Sequence, residues 1–356
     1  MSKHPERLFV KGNEAIARGA LAAKCKCFFG YPITPQNDIP EFMSSEMIKA
    51  GGDFVQAESE VAAANMLLGA GAAGIRAMTS SSSPGMSLKQ EAISYMAGSE
   101  VPAVIINVNR GGPGLGDIGP AQGDYYQSTR GGGHGDYRHF TLAPGNVQEA
   151  YDLTIRAFDI AYEHRTPVLL LADAILGQMK EPIIPWTPEG VDEEAGREWA
   201  LDGHKGQREK RLIKSLFLAE GELAEQNRHL QAKYDSWTEL AEAEQFETED
   251  ADIVICAYGS IGRIAKTAVR KFRKEGKKVG LFRPITLYPF PSADLLTLAK
   301  QGKRFLTIEH NLGQMVDDVR LAIRTVADSD FYPIYPGNLP TPEELEAPIL
   351  TCLEGK

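Results

Sequence analysis

Short apolar runs alternate with amphipathic stretches along most of the chain. Between residues 28 and 173, the runs at 27–30, 75–79, 103–108 and 168–172 predict strands of an α/β domain built around a mainly parallel sheet. Helices are predicted between them at 35–49, 60–70, 86–97 and 146–164. The first follows Thr34 as a possible cap and stops at Gly51-Gly52. In the last, Asn146 and Glu149 stand at capping-box spacing, and Val147, Tyr151, Thr154, Phe158 and Ala161 share one face for packing on the sheet.

From about residue 185 to 250 the chain turns rich in Glu, Ala, Gln, Lys and Arg, with proline-bearing loops and then a predicted helical run over 205–245. This stretch reads as a connector or insertion. A second α/β unit follows, with strands predicted at 253–257, 279–282 and 305–308 and helices at 261–274 and 312–326. The expected division is therefore 1–184, 185–250 and 251–356, the last with a C-terminal tail, in a chain long enough for two cores.

Charge and composition narrow the function. The net charge is −10 and no long basic block tracks a phosphate backbone, so nucleic acid is not an expected partner. No run of about 18 apolar residues predicts a membrane span, and MSKHPERLFV lacks the apolar core of a secretion signal, so the expectation is a cytoplasmic protein with no membrane partner. Cys25, Cys27, Cys256 and Cys352 are too scattered for a disulfide framework or a closely spaced cluster-binding set, and read as ordinary reduced thiols.

Three loops at the ends of predicted strands stand where doubly wound α/β folds collect ligands. In Gly30-Tyr31-Pro32-Ile33-Thr34-Pro35, two prolines stiffen the backbone around a hydroxyl at a helix start; this suits a carboxylate ligand, or is a plain helix cap. Thr79, Ser80, Ser81, Ser82 and Ser83 offer five hydroxyls before another helix, for a polar ligand or a solvated turn. In 109–116, glycines let main chain approach a ligand while Arg110 offers a two-pronged grip on an anion, unless it makes a surface salt bridge. Further on, His134 and Asp136 lie among glycines, in a turn or against a substrate. None of the Gly-x-Gly-x-x-Gly matches has the strand, helix and acid placement of a nicotinamide fingerprint. Glu58 and Glu60 open a helix that is otherwise small and apolar, Val61 to Ala70. Such a helix is expected to be buried, and the acid at its start with it, although glutamate also favours a helix N-terminus on its own.

GYPITP (30–35), ESEVAAAN (58–65), TSSSSPGMSLKQE (79–91), NRGGPGLG (109–116) and GGGHGDYR (131–138), in this order, resemble the alpha subunits of the multi-subunit 2-oxoacid:ferredoxin oxidoreductases. Among these the resemblance is greatest to the 3-methyl-2-oxobutanoate (2-ketoisovalerate) type, with the 2-oxoglutarate synthase alpha subunit close behind. It covers residues 7–182 with specific motifs and 250–330 more loosely, through Arg283-Pro284 and Glu309, Asn311, Gly313 and Gln314. It implies a thiamine-enzyme pyrimidine-binding domain followed by a transketolase C-terminal-like α/β domain.

By the same resemblance, Glu60 is the catalytic carboxylate that hydrogen-bonds the aminopyrimidine of thiamine diphosphate and shares a proton with it. Thr34 and Arg110 would hold the substrate carboxylate, and Tyr31, Pro32 and Ile33 would line the cofactor and substrate wall. Ser81, Ser82, Ser83, His134 and Asp136 form a possible additional pocket.

The Gly-Asp-Gly motif that holds magnesium and diphosphate in thiamine enzymes is missing, since Asp117, Asp124 and Asp136 are each followed by another residue type. A beta subunit is therefore expected to carry the diphosphate and Mg2+, and gamma and delta-like subunits the iron–sulfur clusters. Coenzyme A is the expected cosubstrate, ferredoxin the electron acceptor, and a second copy of the heteromer a further partner. The chain would be inactive alone, with no metal of its own. A non-catalytic scaffold subunit is the alternative. A branched-chain oxo acid needs an apolar pocket, whereas 2-oxoglutarate needs a second cationic group, for which Arg130, His134 and Arg138 are candidates.

Overall fold

The computed structural model describes residues 7–191, 196 and 198–355. The first part of the chain runs β1 (Leu8–Lys11), α1 (Gly12–Ala22), β2 (Cys27–Gly30), α2 (Asp38–Lys49), β3 (Asp53–Gln56), α3 (Glu60–Ala72), β4 (Ala77–Ser81) and α4 (Ser83–Gly98). It continues through β5 (Ala103–Asn109), α5 (Tyr125–Arg130), β6 (Phe140–Leu142), α6 (Val147–Glu163), β7 (Pro167–Asp173), α7 (Ala174–Gln178) and β8 (Lys180–Ile183). After the connector come α8 (Glu222–Ser236), β9 (Ala243–Phe246), β10 (Ile253–Cys256), α9 (Gly259–Lys274), β11 (Val279–Pro284), β12 (Thr286–Tyr288) and α10 (Ser292–Ala299). The chain closes with β13 (Arg304–Glu309), α11 (Met315–Ile323), β14 (Ser329–Pro333) and α12 (Glu346–Glu354).

The larger sheet has the order β12-β6-β7-β5-β4-β2-β3, parallel except for β12. Every residue of β5 and β7 is buried, as expected of strands covered by helices on both faces. Helices α1, α2 and α6 cover one face. Helices α3 and α4 cover the other, in an apolar cluster that continues into Val254, Phe282 and Phe305 of the second sheet. That sheet, β14-β13-β10-β11-β9, is parallel except for its edge strand β9.

The two sheets are tied together. Strand β12 follows β11 of the second sheet and pairs with β6 of the first. Buried Arg283, on β11, makes a bidentate pair with Glu149 of α6 at 2.8 and 2.9 Å. Glu309 accepts bonds from Met315 N (2.7 Å) and Val316 N (2.8 Å), capping α11, while Asn311 bonds Gln122 O at 2.9 Å. These residues of the second unit thus serve as joints.

Several expectations are corrected. Helix α2 begins at Asp38, and Thr34 does not cap it: Gln36 N bonds Ile33 O at 3.1 Å in a turn that delays the helix. Strand β4 starts two residues later than predicted and runs through Ser81, because Ile75 and Arg76 still belong to the link from α3 while fully buried Ser80 pairs with Gly30 of β2 and fully buried Ser81 with Asn107 of β5. Helix α3 is buried on one side only, with Val61 42% and Met66 37% exposed. The helical run expected over 205–245 is helical only at α8 and the short 3-10 helix Trp237–Leu240 that follows it, because the stretch before α8 is broken by Gly206 and Gly221, at φ 72° and 81°. No helix among the described residues is long and apolar enough to cross a membrane. All four cysteines are buried and free.

Candidate active site

Strand order in the larger sheet reverses between β2 and β4, since β3 lies on one side of β2 and β4 on the other. A crevice outside the carboxyl ends of such a pair is where doubly wound folds bind ligands. The 30–35 loop leaves β2 there and the serine loop leaves β4. Helix α3 enters beside them, its start held by Ser59, whose hydroxyl accepts from Ala62 N at 3.2 Å.

Glu60, the first residue of α3, is 7% exposed. Facing it is Gly85 of α4, where an added Cβ would lie 2.7 Å from Glu60 Oε1 and 2.2 Å from Ser81 Oγ. Only glycine lets both side chains pack this closely on α4. The hydroxyls of Ser81 and Ser82 are buried and lack a protein partner, an arrangement costly unless a ligand or water supplies one. Beneath them Lys89 is fully buried, its ammonium donating to Thr79 Oγ1 at 2.9 Å, and Thr79 donating in turn to Phe29 O at 2.5 Å. Burial pushes the Lys89 ammonium down to about 8, against the opposing pull of the Glu60 charge.

The 30–35 loop is held from below. Fully buried Gln36 donates to Tyr31 O at 3.1 Å and accepts from Ser80 at 2.5 Å. Asn13 and Gln178 both donate to Pro35 O, at 2.8 and 3.0 Å. The loop presents half-buried Tyr31 and Ile33 and exposed Pro32 and Thr34. Arg110, at the end of β5, reaches across with Nη1 to Thr34 O (3.0 Å) and Nη2 to Leu115 O (3.1 Å), while its buried Nε has no partner. It makes no ion pair among the described residues. Thr34 and Arg110 are therefore brought together, through the threonine's carbonyl.

Behind Arg110, Asp124 accepts from Asn107 Nδ2 at 2.8 Å, and Ser83 accepts from Arg110 N at 3.0 Å. Burial raises the Asp124 carboxyl above its ordinary value despite the bond from Asn107. Sequence reasoning missed Gln36, Lys89, Asn107 and Asp124. Lys89 had one sequence signal: it lies four residues, one helical turn, after the glycine that faces Glu60.

His134 and Asp136 are exposed, on a loop that packs against α4 through Gly132 N bonded to Gln90 Oε1 at 3.0 Å. No hydrogen bond or ion pair joins either to Thr34, Glu60 or Arg110 among the described residues. Arg130 pairs with Asp318 at 3.0 Å and lies 4.3 Å over the Tyr126 ring. With Arg138 it lines a cavity of about 630 Å³ between the two sheets' domains, together with Tyr288 and Asp294.

This fold and crevice define a thiamine-diphosphate-binding chain: residues 18–249 match the family described as pyruvate flavodoxin/ferredoxin oxidoreductase, thiamine diP-bdg, and residues 251–345 match pyruvate:ferredoxin oxidoreductase core domain II. The chain belongs to this family, as a subunit of the 2-oxoacid:ferredoxin oxidoreductases. It is 51% identical over 314 residues to the ketoisovalerate oxidoreductase subunit VorB of Methanothermobacter thermautotrophicus, covering 88% of this chain and 89% of that one. It is 34% identical to the 2-oxoglutarate synthase subunit KorA of the same organism, covering 96% and 97%. Among solved structures it is similar to the 2-oxoglutarate:ferredoxin oxidoreductase from Magnetococcus marinus with 2-oxoglutarate, coenzyme A and succinyl-CoA bound. There the TM-score is 0.86 at 25% identity, over 97% of this chain and 65% of that one.

Proposed function

We propose that this chain is the pyrimidine-binding, alpha-type subunit of a coenzyme-A-dependent oxidoreductase that decarboxylates 3-methyl-2-oxobutanoate. The observation that carries this reading is the buried Glu60 carboxylate packed against Gly85 at the crevice, beside two buried serine hydroxyls without a protein partner. That cradle, one buried carboxylate and two hydroxyls whose hydrogen bonds the protein does not supply, fits the polar edge of the aminopyrimidine half of thiamine diphosphate. When bound, thiamine diphosphate supplies a nucleophilic carbon for the keto group and a sink for the electron pair freed with carbon dioxide.

Glu60 hydrogen-bonds a ring nitrogen and exchanges a proton at its carboxylate oxygen, with burial in α3 keeping water from competing. Gly85 lets that carboxylate lie directly against α4. Arg110, already gripping Thr34 O, keeps Nε for the substrate carboxylate, and the Thr34 hydroxyl completes that hold. Tyr31, Pro32 and Ile33 form the wall against the branched side chain. Ser81 and Ser82 offer hydroxyls to the cofactor, whereas His134 and Asp136, on their exposed loop, are assigned no part in this site.

Magnesium and the diphosphate are assigned to a beta subunit, because the Gly-Asp-Gly motif does not occur in this sequence. Iron–sulfur clusters are assigned to gamma and delta-like subunits, where they would supply one-electron transfer to ferredoxin, because the four cysteines of this sequence are too scattered to hold a cluster. The higher identity to the ketoisovalerate relative, 51% against 34%, supports the branched-chain substrate. So does the commitment of Arg130 to Asp318, which leaves it unavailable for a distal carboxylate.

The test is coenzyme-A-dependent viologen reduction by the purified complex, supplied in turn with 3-methyl-2-oxobutanoate, 2-oxoglutarate, pyruvate and an aryl oxo acid. Fastest turnover of the branched acid is expected. Fastest turnover of 2-oxoglutarate would reassign the substrate. A cofactor-loaded complex that turns over none of them would leave the chain a scaffold.

A further inference from the structure

Glu60 and Lys89 lie on neighbouring helices over the same face of the sheet, and the layers beneath the candidate cradle put them in sequence. Gly85, which faces Glu60 and Ser81, stands one helical turn before Lys89, about 6 Å along α4. Ser81 and Thr79 alternate along β4, so Lys89 meets Thr79 one layer below the layer in which Gly85 meets Ser81. Thr79 holds the lysine in a defined state. Its hydroxyl proton is committed to Phe29 O at 2.5 Å, so the oxygen meets the ammonium as an acceptor at 2.9 Å.

A fully buried lysine is rare unless paired with an acid or given a task. Lys89 forms no ion pair within contact distance among the described residues. The other titratable or charged groups on the elements packed around α4 have their own partners. Asp124 is bonded by Asn107 Nδ2 at 2.8 Å and Asp173 by Ser260 Oγ at 2.5 Å. Arg110 grips two carbonyls, at 3.0 and 3.1 Å, and the Tyr137 hydroxyl bonds Gln90 on the far flank. The acid whose charge reaches Lys89 is Glu60.

We propose that Lys89 is a positioning residue for cofactor binding, a buried positive charge beneath Glu60 that holds this carboxylate as a charged acceptor for the aminopyrimidine of thiamine diphosphate. The inference rests on the role given to Glu60 above. It adds a pH dependence, because the lysine's charge persists only below about pH 8. Raising the pH through that value removes the charge and weakens the hold.

The readout is thiamine diphosphate affinity of the assembled complex, measured by isothermal titration from pH 6.5 to 9.5. In the wild type, affinity is expected to fall about tenfold across this range, the size of a one-unit coupling between two groups. Lys89→Met should bind about tenfold more weakly at pH 7 and lose the alkaline fall. Lys89→Arg keeps its charge throughout, so it should bind tightly at pH 7 and stay level to pH 9.5.

Thr79→Val guards against misfolding at Lys89, since it leaves the lysine in place and removes the acceptor of its ammonium. Its alkaline fall should begin at lower pH. A wild-type affinity flat with pH, or a Lys89→Met complex that keeps both affinity and slope, overturns the proposal. Glu60→Gln separates the two readings: if it abolishes turnover while Lys89→Met changes nothing, the lysine inference alone fails, and if Glu60→Gln turns over normally, the assignment of Glu60 fails.

Discussion

Gly85 and Glu60 face each other so closely that a methyl group on Gly85 would lie 2.7 Å from the glutamate's Oε1. The glycine is there for close approach, since its backbone does not adopt a positive φ. Gly85→Ala therefore drives its methyl into the Glu60 carboxylate and the Ser81 hydroxyl and pushes the carboxylate out of place, and displacement of a reacting partner by about 1 Å costs roughly a hundredfold in rate. The expected outcome is a complex that assembles normally but reduces viologen at about a hundredth of the wild-type rate. Wild-type turnover together with a wild-type elution profile would remove the cradle from the mechanism.

Arg110 is set to act as a fork. Two of its nitrogens hold Thr34 O and Leu115 O, fixing the third relative to the 30–35 loop. Lysine has one compact ammonium in place of the planar guanidinium and cannot grip both carbonyls while offering a further directed donor. Arg110→Lys should lower kcat/KM for the 2-oxo acid by roughly ten- to a hundredfold, matching about 1.5–3 kcal/mol for a lost charged hydrogen bond. The loss should fall mainly on KM for the oxo acid, with KM for coenzyme A unchanged in steady-state assays.

Substrate choice makes a separate prediction at Arg130. Because its guanidinium pairs with Asp318 and stacks over Tyr126, Arg130→Ala should leave the ranking of oxo acids unchanged, at most lowering stability by about 1 kcal/mol for a part-exposed pair. A large loss confined to 2-oxoglutarate in the four-acid assay would instead place Arg130 against a distal carboxylate.

What was legible in the chain had local causes. Strands β5 and β7 read to within one residue because parallel strands covered on both faces are nearly continuous apolar runs. The helix start at Asn146 read correctly because its bonds are local, three and four residues apart: Asn146 Oδ1 accepts from Glu149 N at 2.8 Å, and Glu149 Oε2 accepts from Gly145 N, one residue before the cap, at 2.8 Å. Lys89 was invisible because a lysine between leucine and glutamine reads as solvated, and its burial exists only once α4 lies over Thr79. Asp124 likewise follows a glycine in a polar stretch, and only the fold brings Asn107 to it. Strand β12 is three residues long and pairs across domains, so no local pattern marks it.

The tie between the two sheets makes the last prediction. Arg283 carries two carboxylates, Glu149 in bidentate fashion and Glu244 at 2.8 Å, with Lys266 also paired to Glu244. Burial raises the Glu244 carboxyl, but the bonds from Lys266 and Arg283 outweigh it and bring it below the ordinary carboxylate range. The arginine stays charged at every accessible pH. A carboxyl depressed on folding contributes stability above its unfolded value and loses it as pH falls through the folded one. The tie should therefore be fully present at pH 7 and weaken below the ordinary carboxylate range. Arg283→Met leaves Glu149 without its cation and Glu244 with Lys266 alone, and breaking a buried pair from one side costs about 3–5 kcal/mol. In thermal denaturation of the complex, the variant should melt well below the wild type at pH 7. The gap should narrow as pH falls below the ordinary carboxylate range, because protonating Glu244 removes from the wild type what the variant has already lost. A gap that stayed constant with pH would assign Arg283 to packing alone.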